Sequence, residues 1–235
     1  MDAGLYNVAG AMHGGQRALD VVAHNLANVG THGYKRRSPS SQAFRALTDH
    51  GPARAIGTNA SVDFSQGDLE RTGNPFHLAL EGDGFFAAES PEGEVYTRRG
   101  VFTFDENGTP VTTEGYPLAW EQRLVDLDPA GPPPVIDVNG QVTQGAIVNG
   151  RLKLAAFENP GRMRELPHGY WTPTFETPPA VPTARLRQGS LERSNAEGVT
   201  ELINMIETQR GFEVASRTMR AIDQSYQRLT QARQR

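Results

Sequence analysis

The sequence predicts an α+β protein whose N- and C-terminal α-helices pair as a coiled coil, with a mainly antiparallel β-domain inserted between them. Three observations predict it. Apolar residues recur every seven positions near both ends of the chain. Between those ends the apolar period shortens to two, in brief runs punctuated by turn residues. Most of the 25 glycines and 16 prolines also fall in that middle stretch, where turns between strands need them.

Residues 1–36 read as an axial helix and its exit loop. Leu5, Met12, Leu19 and Leu26 lie seven apart, and Val8, Gly15, Val22 and Val29 repeat the spacing three positions on. This is an a/d stripe broken only by Gly15. Asp2 suits the N-cap, Gly30 and Gly33 signal the stop, and Lys35, Arg36 and Arg37 stand near the negative end of the helix dipole. At ~1.5 Å per residue the rod is roughly 38 Å long. A lone helix with so narrow a stripe is unstable in water and needs a partner.

Residues 37–66 are rich in Ser, Ala and Gly with little periodicity, and read as an extended connector with a strand near Ser61–Phe64. Residues 67–188 read as the β-domain. "HLALEGDGFFAAES" (77–90), "EVYTRRGVFTFDENGTPVTTEGYPL" (94–118) and "GRLKLAAF" (150–157) carry alternating runs, and Asn107-Gly108 is the strongest hairpin signal. Residues 127–149 hold a Pro132–Pro134 run followed by short strand-like runs. Residues 158–188 read as a Pro- and Arg-rich loop with one strand.

Residues 189–235 supply the second helix. Ser194 and Glu197 have the spacing of a capping box, as N-cap and N3. Met205, Phe212, Met219 and Tyr226 form one heptad row, and Ala215, Ile222 and Leu229 the other. Acids Glu197, Glu201, Glu207 and Glu213 lead, and Arg217, Arg220, Arg228, Arg233 and Arg235 trail, which complements the macrodipole. A two-helix pair covers one stripe per helix and leaves Ile203, Ile206 and Val214 bare, so further copies are expected to bind.

Catalytic chemistry is missing. The chain has no cysteine, so disulfides, Cys-ligated zinc and thiol nucleophiles are excluded. Its six histidines form no close metal pair, and no GxSxG elbow or P-loop is present. "EGDGFF" lacks the third glycine and the following helix of a dinucleotide site. Net charge is −4 and the one dense basic cluster is Lys35–Arg37, a poor footprint for nucleic acid. No run of ~18 apolar residues spans a membrane, and "MDAGLYNVAG" is not a cleavable leader. No catalytic, metal-binding or cofactor-binding residue is assigned, and the chain reads as a non-enzyme without a cofactor.

"LDVVAHNLANVGTHGYKR" (19–36) resembles the N-terminal signature of bacterial flagellar rod and hook proteins, an apolar helix with an Asn-Leu-Ala-Asn core and a Thr-x-Gly-aromatic-basic exit. "QGSLERSNAEGVTELINMIETQRGFEVASRTMRAIDQ" (188–224) is similar to their C-terminal signature, and "GDLERTGNPFHLALEGDGFF" with "YTRRGVFTFDENGTPVTTEGYPL" to their β segment. The three occur in the family's order. "MDAGLYNVAGAM", the short connector and "GRLKLAAF" resemble the proximal-rod type most and the distal-rod type next.

The resemblance implies a subunit that self-assembles through its terminal helices into the axial drive shaft of the basal body and transmits torque. The helices would line an axial tube with the β-domain outside. Implied partners are other copies, neighbouring rod and hook proteins and the flagellar type III export apparatus, with no nucleic acid and no membrane insertion. The implied location is the rod spanning the periplasm, reached without a cleaved signal peptide. The expected assembly interface is Leu5, Val8, Met12, Leu19, Val22, Asn25, Leu26, Asn28, Val29, Met205, Ile206, Phe212, Met219, Ile222, Tyr226 and Leu229. Asn25 and Asn28 either face neighbouring subunits or cap the helix locally. Lys35–Arg37 either pair with acids of an adjacent protomer or form a solvated basic turn. Two other readings are an adaptor or cap that binds the axial structure without polymerising, and a wall-degrading enzyme carrying oligomerisation helices.

Overall fold

The computed structural model describes residues 2–48, 51–105, 108–174, 179–180 and 182–233. The chain divides into two compact units. A helical unit comprises Met1–Asn28, Arg36–Asp63 and Ala196–Arg235, and a β unit comprises Val29–Lys35 and Phe64–Asn195.

The helical unit contains α1 (Asp2–Ala27), strands β1 (Arg37–Thr48) and β2 (Gly51–Val62), and α2 (Gly198–Arg233). At 26 and 36 residues the helices are about 39 and 54 Å long. The heptads decide which faces turn inward. On α2 the less exposed positions include Glu201, Met205, Thr208, Phe212, Ala215, Met219 and Ile222, which follow a four–three spacing, with Asn204 and Ser216 beside them. On α1 they include Val8, Met12, Gly15, Leu19, Val22 and Leu26. A Cβ built on Gly15 would stand 3.7 Å from the Phe212 ring. Asn25, ten residues further along α1, reaches back to Glu201. These two contacts run in opposite senses along the two helices, so α1 and α2 are antiparallel. The side chains of Leu5, Tyr226 and Leu229 lie outside the described residues.

Three sequence expectations change here. Val29, assigned to the heptad stripe, lies beyond the end of α1 and belongs to the β unit. The helix closes earlier because the Asn28 amide donates to the Asn25 carbonyl at 3.0 Å and its Nδ2 donates to the His24 carbonyl at 2.8 Å. This satisfies a carbonyl that a helix end otherwise orphans. The start of α2 also moves, from Ser194 to Gly198. Its first helical bond runs from the Glu201 amide to the Glu197 carbonyl, while Thr200 Oγ1 donates to the Glu197 carboxylate. Asn195 is committed elsewhere, donating to the carbonyl and hydroxyl oxygens of Ser65 at 3.1 Å, so the chain is not free to coil sooner. In the stretch expected as an extended connector (37–66), β1 and β2 pair as a long antiparallel ribbon, in register from Arg37 opposite Val62 to Thr48 opposite Gly51.

The β unit runs through β3 (Leu69–Arg71), β4 (Leu78–Glu81), β5 (Phe85–Ser90), β6 (Gly93–Thr97), β7 (Phe102–Phe104), β8 (Pro110–Thr112), β9 (Trp120–Arg123), β10 (Val135–Ile136), β11 (Gln141–Gln144), β12 (Ile147–Leu152), β13 (Leu154–Phe157), β14 (Arg164–Leu166), β15 (Tyr170–Thr172), β16 (Pro179–Ala180), β17 (Arg185–Gln188) and β18 (Ser190–Glu192). A six-stranded sheet has the order β14-β15-β6-β5-β13-β16, and a four-stranded sheet the order β10-β11-β12-β9. Among the described residues every strand pairing is antiparallel.

The β5 run Phe85-Phe86-Ala87-Ala88 is buried on both faces, and β5 lies between β6 and β13 in its sheet. Leu80, Phe86, Val142, Leu152 and Leu186 are central to the core, and Phe86 meets Phe102 edge-to-face at 5.1 Å. The described residues of 158–188 hold more strands than the one expected there. They contribute β14, β15, β16 and β17, and Trp171 of β15 packs against Phe64 at 4.9 Å. β7 and β8 pair where the hairpin signal stood, Phe104 opposite Pro110, although Asn107 itself lies outside the described residues.

Candidate assembly site

The polar corner after α1 is built from two separate charged nodes, one in each unit. In the β unit, Lys35 is 3 % exposed, Arg98 4 % and Glu192 1 %. Lys35 Nζ donates to Glu192 Oε1 at 2.7 Å and to the Ser65 carbonyl at 2.7 Å. Arg98 donates to Glu192 Oε2 at 3.2 Å and to the Gly82 carbonyl at 2.8 Å. Its guanidinium also stands 5.4 Å from the Phe85 ring centre. The Gly67 amide completes the shell, donating to Glu192 Oε1 at 3.1 Å.

Gly33 seats the exit loop on this node. Its amide donates to the Glu192 carbonyl at 2.7 Å, and its φ of +70° is one that L side chains rarely adopt. A Cβ there would lie 2.5 Å from the Arg98 carbonyl carbon and 2.6 Å from its oxygen. Both conformation and space therefore demand glycine.

In the helical unit, Asn25 and Glu201 are wholly buried. Asn25 Oδ1 accepts from the Arg37 amide at 2.9 Å, and Nδ2 donates to the Arg37 carbonyl at 2.7 Å and to Glu201 Oε2 at 3.3 Å. Glu201 Oε1 accepts from Arg36 Nε. Asn25 thus makes a strand-like pair with the first residue of β1 while touching the first turn of α2. The cations Lys35 and Arg36 pair with Glu192 and Glu201 of the same chain. That leaves neither of the two sequence-level options for them, an acid of an adjacent protomer or a solvated turn.

The expected interface residues thus separate. Val8, Met12, Leu19, Val22 and Leu26 on α1, and Met205, Phe212, Met219 and Ile222 on α2, occupy the inward rows of their helices. Asn28 caps α1 and Asn25 is enclosed. Ile206 is 51 % exposed and Ile203 52 %, on the face opposite the heptad row, with Val199, Leu202 and Val214 beside them. Sequence reasoning missed Glu192, Glu201 and Arg98 as organising residues. The signal that could have found them is the three consecutive cations in a chain of −4 net charge, which call for buried acids elsewhere.

A second polar cluster lies in the β unit, where Arg99 pairs with Glu114 at 2.8 Å and the Tyr170 hydroxyl donates to Glu114. Burial pushes the Glu114 carboxyl up. The Tyr170 bond and the Arg99 charge outweigh burial and hold it below the usual carboxylate range.

Three family models match the chain in order: flagella basal body rod protein over residues 5–35, the flagellar hook protein FlgE/F/G D1 domain over 79–148, and the flagellar basal body rod FlgEFG protein C-terminal region over 187–232. The flagellar basal-body rod protein FlgG of Buchnera aphidicola subsp. Schizaphis graminum is 33 % identical, over 91 % of this chain and 93 % of its own length. This chain belongs to the flagellar basal-body rod protein family. The rod protein FlgF of Caulobacter vibrioides is also 33 % identical, over 87 % of this chain and 86 % of its own, and FlgF of Mesorhizobium japonicum is 30 % identical over 94 % and 93 %. Of the node residues, Asn25 and Lys35 fall in the first match, Arg98 in the second, and Glu192 and Glu201 in the third, while Arg36 and Gly67 lie outside all three. This rod protein is structural and not an enzyme.

Proposed function

We propose that this rod protein is a structural subunit of the bacterial flagellar basal-body rod, assembling with copies of itself and with neighbouring rod and hook proteins into the drive shaft that transmits torque. Its terminal helices pair as an antiparallel coiled coil through Val8, Met12, Leu19, Val22 and Leu26 against Met205, Phe212, Met219 and Ile222. The outward face of α2 is then the surface offered to the next subunit. The observation that carries this reading is that α2 bears large apolar side chains in two places. One is its inward heptad row, and the other holds Ile203 and Ile206 at half exposure.

Within the family we read the chain as the proximal-rod type, on its opening "MDAGLYNVAGAM" and on "GRLKLAAF". We read export through the flagellar type III apparatus without signal cleavage, to a rod that spans the periplasm, from the chain's place in the rod family. The assembly calls for neither nucleic acid nor membrane insertion. Among the described residues no helix is long and apolar enough to cross a membrane.

The test is an Ile203→Glu, Ile206→Glu double variant in a strain lacking the native gene. Both side chains are exposed, so the variant should fold and accumulate. The expected result is loss of swimming and loss of the subunit from isolated basal bodies. Normal incorporation and motility would overturn the assignment of this face, and a parent protein present as one copy per basal body would favour a non-polymerising adaptor.

A further inference from the structure

We propose that Glu201, clasped by Asn25 and Arg36, determines the register in which α2 lies along α1. The proposal rests on the paired-helix reading above.

The heptads alone leave the register open. The α2 row Met205, Phe212, Met219 presents long apolar side chains at equal spacing, and the α1 row that meets Phe212, Val8, Gly15 and Val22, has the same spacing. A slide of one heptad therefore sets apolar residues against apolar residues again. The second α2 row breaks this degeneracy. It reads Glu201, Thr208, Ala215, Ile222, and its charged member is wholly buried.

In the observed register Glu201 Oε2 accepts from Asn25 and Oε1 from Arg36. Seven residues back along α1, the same carboxylate would lie beside Ala18 and Leu19, without the Asn25 amide, in a seam that buries it. Seven residues the other way, it would pass the end of α1 at Ala27 and leave Thr208 opposite Asn25. The first slide strips a buried carboxylate of its partners, a heavily penalised state, and the second forfeits the Asn25 and Arg36 bonds to Glu201. One polar group at an inward heptad position thus selects one register, as a buried asparagine does in simpler coiled coils. Asn25 also holds both backbone groups of Arg37, so the clasp references the register to the first residue of β1.

The chain has no native cysteine, which makes the register directly readable by disulfide trapping in the full-length protein. A Cβ on Gly15 would lie 3.8 Å from Phe212 Cβ, within the range a disulfide spans. The Gly15→Cys, Phe212→Cys pair should cross-link on mild oxidation. Gly15→Cys with Met205→Cys or with Met219→Cys, the two slid registers, should not. Adding Glu201→Leu should raise at least one slid cross-link at least tenfold.

If the slid pairs stay at parental levels with Glu201→Leu, the chain connections hold the register and the proposal is overturned. Asn25→Asp gives an independent reading, because it keeps the shape but faces one carboxylate with another. It should cut the in-register cross-link at least fivefold, and an unchanged yield would equally overturn the proposal. Absence of the Gly15–Phe212 cross-link in the otherwise native chain would sink the helix pairing itself.

Discussion

Glu192→Gln isolates the charge of the β-unit node while keeping its volume and its capacity to accept from the Gly67 amide. In the native chain the carboxylate neutralises Lys35 at 2.7 Å and Arg98 at 3.2 Å, and all three side chains are at most 4 % exposed. Removing one partner of a buried ion pair costs about 3–5 kcal/mol, chiefly because the other charge stays buried and unpaired. Here two cations are stranded, which argues for the upper half of that range. Lys35→Met should cost less, about 1.5–3 kcal/mol, because Glu192 keeps Arg98 and the Gly67 amide. In the double variant the stranded lysine is gone, so the losses should fall short of additive by about 1–3 kcal/mol. Both tryptophans, Trp120 and Trp171, lie in the β unit, so their fluorescence in urea follows this unit. With a slope of about 1–3 kcal/mol per molar urea, Glu192→Gln should lower the midpoint by about 1 M or more. A shift under about 0.3 M, or strictly additive losses, would refute the claim that this network holds the unit together.

Gly33→Ala should destabilise the β unit by about 3–5 kcal/mol, adding left-handed backbone strain to a clash with Arg98 that its backbone must relieve; the same urea titration measures it, and a loss under ~1 kcal/mol would contradict it. The Glu114 carboxyl titrates lower in the folded chain than in the unfolded one. Its stabilisation is therefore full above the ordinary carboxylate range and lost as pH falls through the folded value. Glu114→Gln should flatten this acid limb of a stability–pH curve, and identical limbs in parent and variant would count against the Arg99–Tyr170 cluster. Removing residues 1–28 while keeping 29–35 should leave a soluble β unit with native-like tryptophan emission but no incorporation into basal bodies, read by complementation.

The heptads made the helices legible. The positions that turn inward on α2 fall on the four–three spacing the sequence displays, and Ile203, Ile206 and Val214 are bare on its other side. The antiparallel middle was legible for the same reason, since alternation and turn residues report on nearby pairing. Other features depend on partners far along the chain. Lys35 meets Glu192 across 157 residues and Arg36 meets Glu201 across 165, and a local reading of three cations sees only the helix end beside them. The ribbon of β1 and β2 escaped because its Ser-, Ala- and Gly-rich strands show no apolar alternation, and its order rests on backbone pairing. The false start at Ser194 has a similar origin: capping chemistry was present, but tertiary bonds from Asn195 to Ser65 took precedence over it.

The helical unit is discontinuous in sequence, built from segments on both sides of residues 64–195. During translation α1 leaves the ribosome before residues 64–195 and α2 after them. The β unit can reach its native pairing while α1 still waits, and no early folding event can trap the helices against each other. Closure of this unit thus reports that everything between its two helices has been delivered.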